Sequence, residues 1–200
     1  MRYLFVTIAL LFIATCFYGQ RFHGGPMAGL VVSQLDGDGL GGYNKPGIRA
    51  GGWVNTDISK LTTLQLELQY IQKGSKISEQ ELKSGEYYHS RLNYLQLSFL
   101  GKYELMPKLD AEAGIAGGYL FNPLEDMDGA GFIEPLEPFN NYELSLIIGL
   151  SYQLSERFTG DIRLNYSGLP IREHPGGQVY YINRGQYNNA LSFSLYYQID

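Results

Sequence analysis

The sequence predicts an all-β fold, an eight-stranded antiparallel up-and-down transmembrane β-barrel, on three observations. Apolar and polar residues alternate at every second position through eight segments, the connections between segments alternate short and long, and a short apolar leader precedes the first segment. The alternation is clearest in Tyr142–Leu154. There Tyr142, Leu144, Leu146, Ile148, Leu150, Tyr152 and Leu154 share one face, and Glu143, Ser145, Ile147, Gly149, Ser151 and Gln153 share the other. One face suits hydrocarbon and the other water, over enough residues to cross a bilayer as a tilted strand.

The segments run 26–34, 46–55, 61–72, 91–104, 109–121, 141–154, 158–168 and 189–199. The first opens at Pro26, and the second carries Arg49 and Gly51 on its polar face. The third carries Glu67 on the polar face and Tyr70 on the apolar one; the fourth carries Lys102 and Tyr103 in the same way. The fifth places Glu112, Gly114 and Gly118 opposite Tyr119. The sixth sets Glu143, Gly149 and Ser151 against Tyr142 and Tyr152, and the seventh sets Asp161 and Arg163 against Phe158 and Tyr166. In the last, Leu191, Phe193, Leu195, Tyr197 and Ile199 line one face, like the terminal strand that outer-membrane assembly machinery recognises; Asp200 departs from the terminal aromatic usual there.

Residues 56–60, 105–108 and 155–157 are short turns, whereas 35–45, 73–90, 122–140 and 169–188 are long and rich in Gly, Pro, Asn and charge. Outer-membrane barrels sort their connections this way, with short periplasmic turns and long external loops. A soluble barrel of the lipocalin type is the alternative, and it would need its apolar face inside.

Turn symmetry predicts register. A turn centred on Ile58 sets Arg49 opposite Glu67. A turn centred on Glu156 sets Asp161 opposite Ser151, Arg163 opposite Gly149, Leu150 opposite Ile162 and Ile148 opposite Leu164. Faces agree in both hairpins, as pairing requires, because a one-residue slip inverts every side chain. Outward aromatics fall in two bands: Tyr103, Tyr152, Phe158 and Tyr197 near the short turns, and Tyr70, Tyr119, Tyr142 and Tyr166 near the long loops. Two such bands make the girdles of a membrane barrel, where amphipathic rings favour the interface.

Polar-face residues Arg49, Glu67, Lys102, Glu112, Glu143, Asp161 and Arg163 then point into the lumen, with Gly51, Gly114, Gly118, Gly149 and Ser151 leaving room for them. An eight-stranded barrel is just wide enough for side chains to fill it. An unpaired charge there is very costly, so a salt-bridge network and a plugged lumen are expected rather than an open pore or an ion pathway.

The leader, Met-Arg-Tyr-Leu-Phe-Val-Thr-Ile-Ala-Leu-Leu-Phe-Ile-Ala-Thr-Cys16, has one positive charge before an apolar run too short to span. It reads as a secretory signal peptide over residues 1–20, cut near Cys16 to Arg21, with the barrel domain over 21–200. Cys16 also ends a weak lipidation box, Ile-Ala-Thr-Cys, but a barrel is anchored by its own strands. Cys16 is the only cysteine, so the processed chain is expected to hold no disulfide or thiolate metal site. Removing the leader leaves 14 basic against 20 acidic residues. That balance, without basic clusters, argues against nucleic acid as a partner.

Catalytic signals are weak. Of His23, His89 and His174, only His89 has a hydroxyl beside it, and His89 and Ser90 would point to opposite faces of a strand. Asp36-Gly-Asp38-Gly resembles the start of a calcium loop but no Glu completes it, and Glu125, Asp126 and Asp128 form a second acidic group. Divalent cations could bridge these to lipopolysaccharide, but solvated turns are the favoured reading. No phosphate-binding loop, His-Glu-x-x-His or dinucleotide fingerprint is present, so no catalytic residue, metal or cofactor is expected.

The first hairpin, Gly29-Leu-Val-Val-Ser-Gln-Leu-Asp-Gly-Asp-Gly-Leu-Gly-Gly-Tyr-Asn-Lys-Pro-Gly47, together with Gln69-Tyr-Ile-Gln-Lys-Gly-Ser75 and Leu92-Asn-Tyr-Leu-Gln-Leu97, resembles the PorT-like outer-membrane β-barrel family, over the whole processed chain. The resemblance implies an outer-membrane barrel of a Gram-negative envelope. The family's founding member is associated with type IX secretion and export of cell-surface proteins. Most relatives have no assigned activity, and the family offers no catalytic residues to map. The expected partners are outer-membrane lipid and lipopolysaccharide, with secretion-system or cell-surface proteins at the external loops. A lipid-acting enzyme and a narrow channel are the alternatives.

Overall fold

The computed structural model describes residues 21–78, 82, 87–173 and 185–199. The leader, His174 and Asp200 lie outside the described residues. Eight strands follow in order: β1 (Phe22–Asp36), β2 (Lys45–Asp57), β3 (Thr62–Lys73), β4 (His89–Met106), β5 (Leu109–Asp126), β6 (Tyr142–Gln153), β7 (Phe158–Ser167) and β8 (Tyr187–Tyr197). Each is antiparallel to its neighbour, and β8 pairs back onto β1 through Met27↔Tyr196 to Asp36↔Tyr187, which closes the barrel. Closure leaves no unpaired edge, the condition for a sheet to sit in hydrocarbon.

Burial along each strand repeats the two-residue period of the sequence. Leu30, Leu68, Leu97, Leu146, Ile148 and Phe193 stand exposed on the outer wall, Ile148 at 59% of its full accessibility. Glu67, Gln69, Gln96, Ser98, Arg163 and Ser192 are buried inside. A soluble barrel inverts this arrangement, so the orientation of the wall rules out the lipocalin reading.

The β6–β7 hairpin has the predicted register: Ser151↔Asp161, Gly149↔Arg163, Leu150↔Ile162 and Ile148↔Leu164. The β2–β3 hairpin does not. Arg49 stands opposite Ile71, and Glu67 opposite Trp53. The turn centres farther along than Ile58, because the backbone N–H groups of Ile58 and Ser59 both donate to the Thr62 carbonyl and Thr63 Oγ1 donates to Asp57 Oδ1 at 2.6 Å. The displacement is an even number of residues, so faces are preserved and both charges stay inside.

Strands also run further than the alternation indicated. β1 starts at Phe22, while β4 and β5 each reach 18 residues. β4 gains two residues at each end, and all of the excess of β5 lies at the external end, where Lys76 bridges His89 and Glu125 bridges Ile133. At the other end Pro107 and Lys108 alone join β4 to β5, and Lys108 takes a positive φ of 74° to make the reversal.

Candidate functional site

Charged contacts stack in three storeys, two inside the barrel and the third above it among the loops. The lowest centres on Glu67, on β3. Arg163, on β7, donates from Nη1 to both Glu67 oxygens at 2.9 and 2.8 Å, and Arg49, on β2, reaches Glu67 Oε2 at 3.3 Å. The same Arg163 guanidinium meets Glu112 at 2.6 Å and Asp161 at 2.7 Å, and Lys102 lies 3.6 Å from Glu112. Tyr196 donates to Glu67 at 3.0 Å, and its ring lies 5.3 Å from the Arg163 guanidinium carbon. Three cations face three carboxylates in one connected cluster. Pairing of this kind offsets the large cost of taking each ion out of water.

Register explains how β7 delivers Arg163. Its neighbour across the ladder is Gly149, and a Cβ at that glycine would stand 2.7 Å from Arg163 Cγ. We expect Gly149→Val to displace the guanidinium and lower stability by about 1–3 kcal/mol, the usual range for overpacking. Chemical denaturation in detergent micelles measures it.

The middle storey is Lys73 on Glu143. Lys73 Nζ donates to Glu143 Oε1 at 2.9 Å and to Asn165 Oδ1 at 3.0 Å. Ser145 and Ser167 each donate to Glu143 at 2.7 Å, and Asn188 donates at 3.1 Å. Above it, Val31, Leu35, Ile71, Leu92, Tyr94, Leu120, Phe139 and Ile171 pack as an apolar cap. Between the storeys an enclosed cavity of about 10 Å³ lies among Arg49, Gln69, Gln96, Arg163 and Asn165. That is the volume of about one water, too little for a conduit. The purified protein is therefore expected to be electrically silent in planar bilayers.

The third storey lies outside the wall, in the loops. Arg172 reaches Glu125 Oε1 at 2.9 Å, Tyr88 donates to the same oxygen at 2.6 Å, and the guanidinium lies 4.0 Å over the Phe139 ring. Burial and the neighbouring Glu125 carboxylate push the Tyr88 phenol up, so it stays protonated and donates. Glu125, grouped with a solvated acidic cluster on sequence, is instead a buried clasp between the second, third and fourth loops. Asp126 accepts from the backbone of Gly129, and Asp128 from that of Ala130. In the first loop Asp38 accepts from Leu40, and burial raises its carboxyl pKa. Among the described residues no three His, Cys, Asp or Glu side chains gather as a metal site.

His89 and Ser90 part as strand geometry dictates. Ser90 is fully buried and Ser75 donates its N–H to the Ser90 hydroxyl, while the His89 ring packs 4.8 Å from Phe132. The eight outward aromatics all stand on the wall. Tyr119 and Tyr142 pair at 5.6 Å between ring centres near the loops, and Phe158 and Tyr197 pair at 5.2 Å near the short turns. Tyr70, Tyr103, Tyr152 and Tyr166 stand on the same outer face of their strands.

Sequence reasoning missed Lys73, Tyr196 and Arg172. Lys73 continues the inward parity of Glu67, Gln69 and Ile71, a signal hidden by ending the strand at residue 72. Tyr196 has the inward parity of Ser192 and Ser194. Arg172 sits in a loop, where no periodicity marks it.

A closed barrel with an apolar wall, a charged and filled interior and long external loops defines an integral outer-membrane β-barrel protein. The outer membrane protein beta-barrel domain matches residues 18–169, and the chain belongs to that family. The family places the chain in the bacterial outer membrane. Solved structures share the fold, two of them at a TM-score above 0.5. Neisserial surface protein A is 14% identical, with 90% of this chain and 99% of that chain covered and a TM-score of 0.54. Ail, the attachment invasion locus protein of Yersinia pestis, solved with the heparin analogue sucrose octasulfate, is 10% identical, with the same coverage and a TM-score of 0.51. No curated protein matches the sequence.

Proposed function

We propose that the chain is a non-enzymatic outer-membrane barrel of a Gram-negative envelope, PorT-like, whose braced external loops engage a secretion-system or cell-surface protein. The observation that carries this reading is the filled, charge-compensated interior: the described residues leave no conduit along the lumen, so work falls to the external end, where Arg172, Glu125 and Tyr88 tie three loops together. Loops on a rigid scaffold are the usual place for recognition. The separation of His89 from Ser90 favours this over the lipid-acting enzyme.

Ail was solved with a sulfated sugar analogue, but the third loop here carries Asp126, Asp128, Glu134 and Glu137. Past Phe132, around Glu134 and Glu137, that loop repels a polyanion and suits a protein partner with basic and apolar residues, since Ile133 and Leu136 are also exposed there.

The test is affinity purification of the tagged protein from outer membranes, beside a variant with residues 127–138 replaced by a Gly/Ser linker. An envelope protein recovered with the native chain and lost with the variant supports the reading. Identical recovery from both overturns it. We expect Arg172→Ala, which strands Glu125 and unties the loops, to reduce that recovery by about tenfold or more while leaving the barrel folded.

A further inference from the structure

On one side of the barrel the outer wall changes chemistry in an ordered way from mid-membrane toward the outside. Leu68 and Leu95 stand exposed on β3 and β4. Next comes the Tyr70 ring, 6.0 Å from Phe121, with Tyr70 donating its hydroxyl to Asn93 Oδ1 at 2.8 Å. Gln72 donates to the same Asn93 oxygen at 3.1 Å. Beyond Asn93 three cations, Arg91, Lys76 and Lys45, outnumber one carboxylate, Asp126, which faces His89 across the ladder and accepts from the Gly129 N–H. Arg91 lies two residues further along β4, with its guanidinium 4.3 Å over Phe132. His89 packs on the same ring, and Lys76 is bridged to His89 across the ladder. Lys45 joins from β2, donating to Gln72 Oε1 at 3.4 Å and to the Pro46 carbonyl at 2.7 Å.

None of the ion pairs among the described residues uses Lys45, Lys76 or Arg91. Lys45 is 2% exposed, and the oxygens that hold it are neutral. Among the described residues every other buried cation has a carboxylate, and the excess positive charge of Lys45, Arg91 and the exposed Lys76 gives this part of the wall a field that suits an anion from outside. The order of the wall says where that anion lies: past the aromatic band, at the height of lipid headgroups.

We infer that Arg91 and Lys76, with Lys45 behind them, form a binding site for the phosphate of an outer-leaflet phosphoglycolipid whose acyl chains run down Leu68 and Leu95. Arg91 offers a planar fork held flat by Phe132, suited to bidentate contact with phosphate. Lys76, exposed, closes on it from the second loop, and the buried Lys45 adds field without contact. The inference rests on the membrane reading above, and the two fail separately. Loss of the protein from the outer-membrane fraction would sink that reading, whereas this one is judged on purified, folded protein.

The experiment is native mass spectrometry of the full processed chain in detergent, titrated with bisphosphorylated lipid A and with the same lipid A stripped of phosphate. The native protein is expected to retain the phosphorylated lipid, and the stripped lipid to bind at least about tenfold more weakly. The double variant Lys76→Gln with Arg91→Gln is expected to weaken the phosphorylated complex by about 30-fold, two basic groups' worth at a lipid surface. Its folding is checked by the heat-modifiable gel shift of closed barrels, and Arg91→Gln alone serves if the pair does not fold. Equal retention of both lipids, or no change in the variant, overturns the site. Competition by millimolar inorganic phosphate as effective as by lipid overturns the lipid assignment.

Discussion

Glu67→Ala is expected to be the most damaging single substitution in the wall, at about 3–5 kcal/mol of barrel stability. The side chain is fully buried and holds both Arg49 and Arg163. Removing it leaves Arg49 without any carboxylate and Arg163 with only Glu112 and Asp161. The excess positive charge sits in an enclosed space with about one water's volume to hydrate it. The Tyr196 hydroxyl loses an acceptor in the same stroke. Urea unfolding in detergent, followed by the gel mobility of folded against unfolded barrel, measures the loss. Glu67→Gln keeps the shape and loses the charge, and its fall should be smaller, since the amide oxygen still accepts. A wild-type-like midpoint for Glu67→Ala would mean that the storey is held by its walls and not by its ions.

Ile148→Arg should cost about 2–4 kcal/mol when unfolding is measured in a lipid bilayer. Ile148 lies mid-strand on β6, between Ala113 on β5 and Leu164 on β7, with its side chain turned away from the lumen. The same change at Leu154, on the same outward face beside the short turn, should cost less than about 1 kcal/mol, because charge is tolerated at the interface. The gradient between the two positions reads depth in the bilayer directly. Equal costs at both would remove Ile148 from the hydrocarbon.

These two sites also show what could be read from the chain. Lipid-facing positions such as Ile148 were legible because the strand period is a property of neighbours in sequence. Which interior charges meet was legible only in part. Arg163, Asp161 and Glu112 were assigned to the lumen by parity, and the β6–β7 register followed from a three-residue turn. The Arg49–Glu67 contact survives on a diagonal, because a long guanidinium bridges the offset that the β2–β3 turn introduces. The partners of Glu143 are Lys73 from β3, Ser167 from β7 and Asn188 from β8. They arrive from across the barrel at separations no local pattern encodes. The clasp of Arg172 on Glu125 was invisible for the same reason, since both residues sit where the alternation has ended.

The 18-residue β4 and β5 have one more consequence. At roughly 3.3 Å per residue and a tilt near 45°, each climbs about 40 Å, against an apolar belt of about 25 Å. The surplus is a stiff two-stranded mast that lifts the third loop clear of the apolar belt. Ile133 and Leu136 stand exposed at the masthead, held away from the lipid that covers the apolar residues of the wall below.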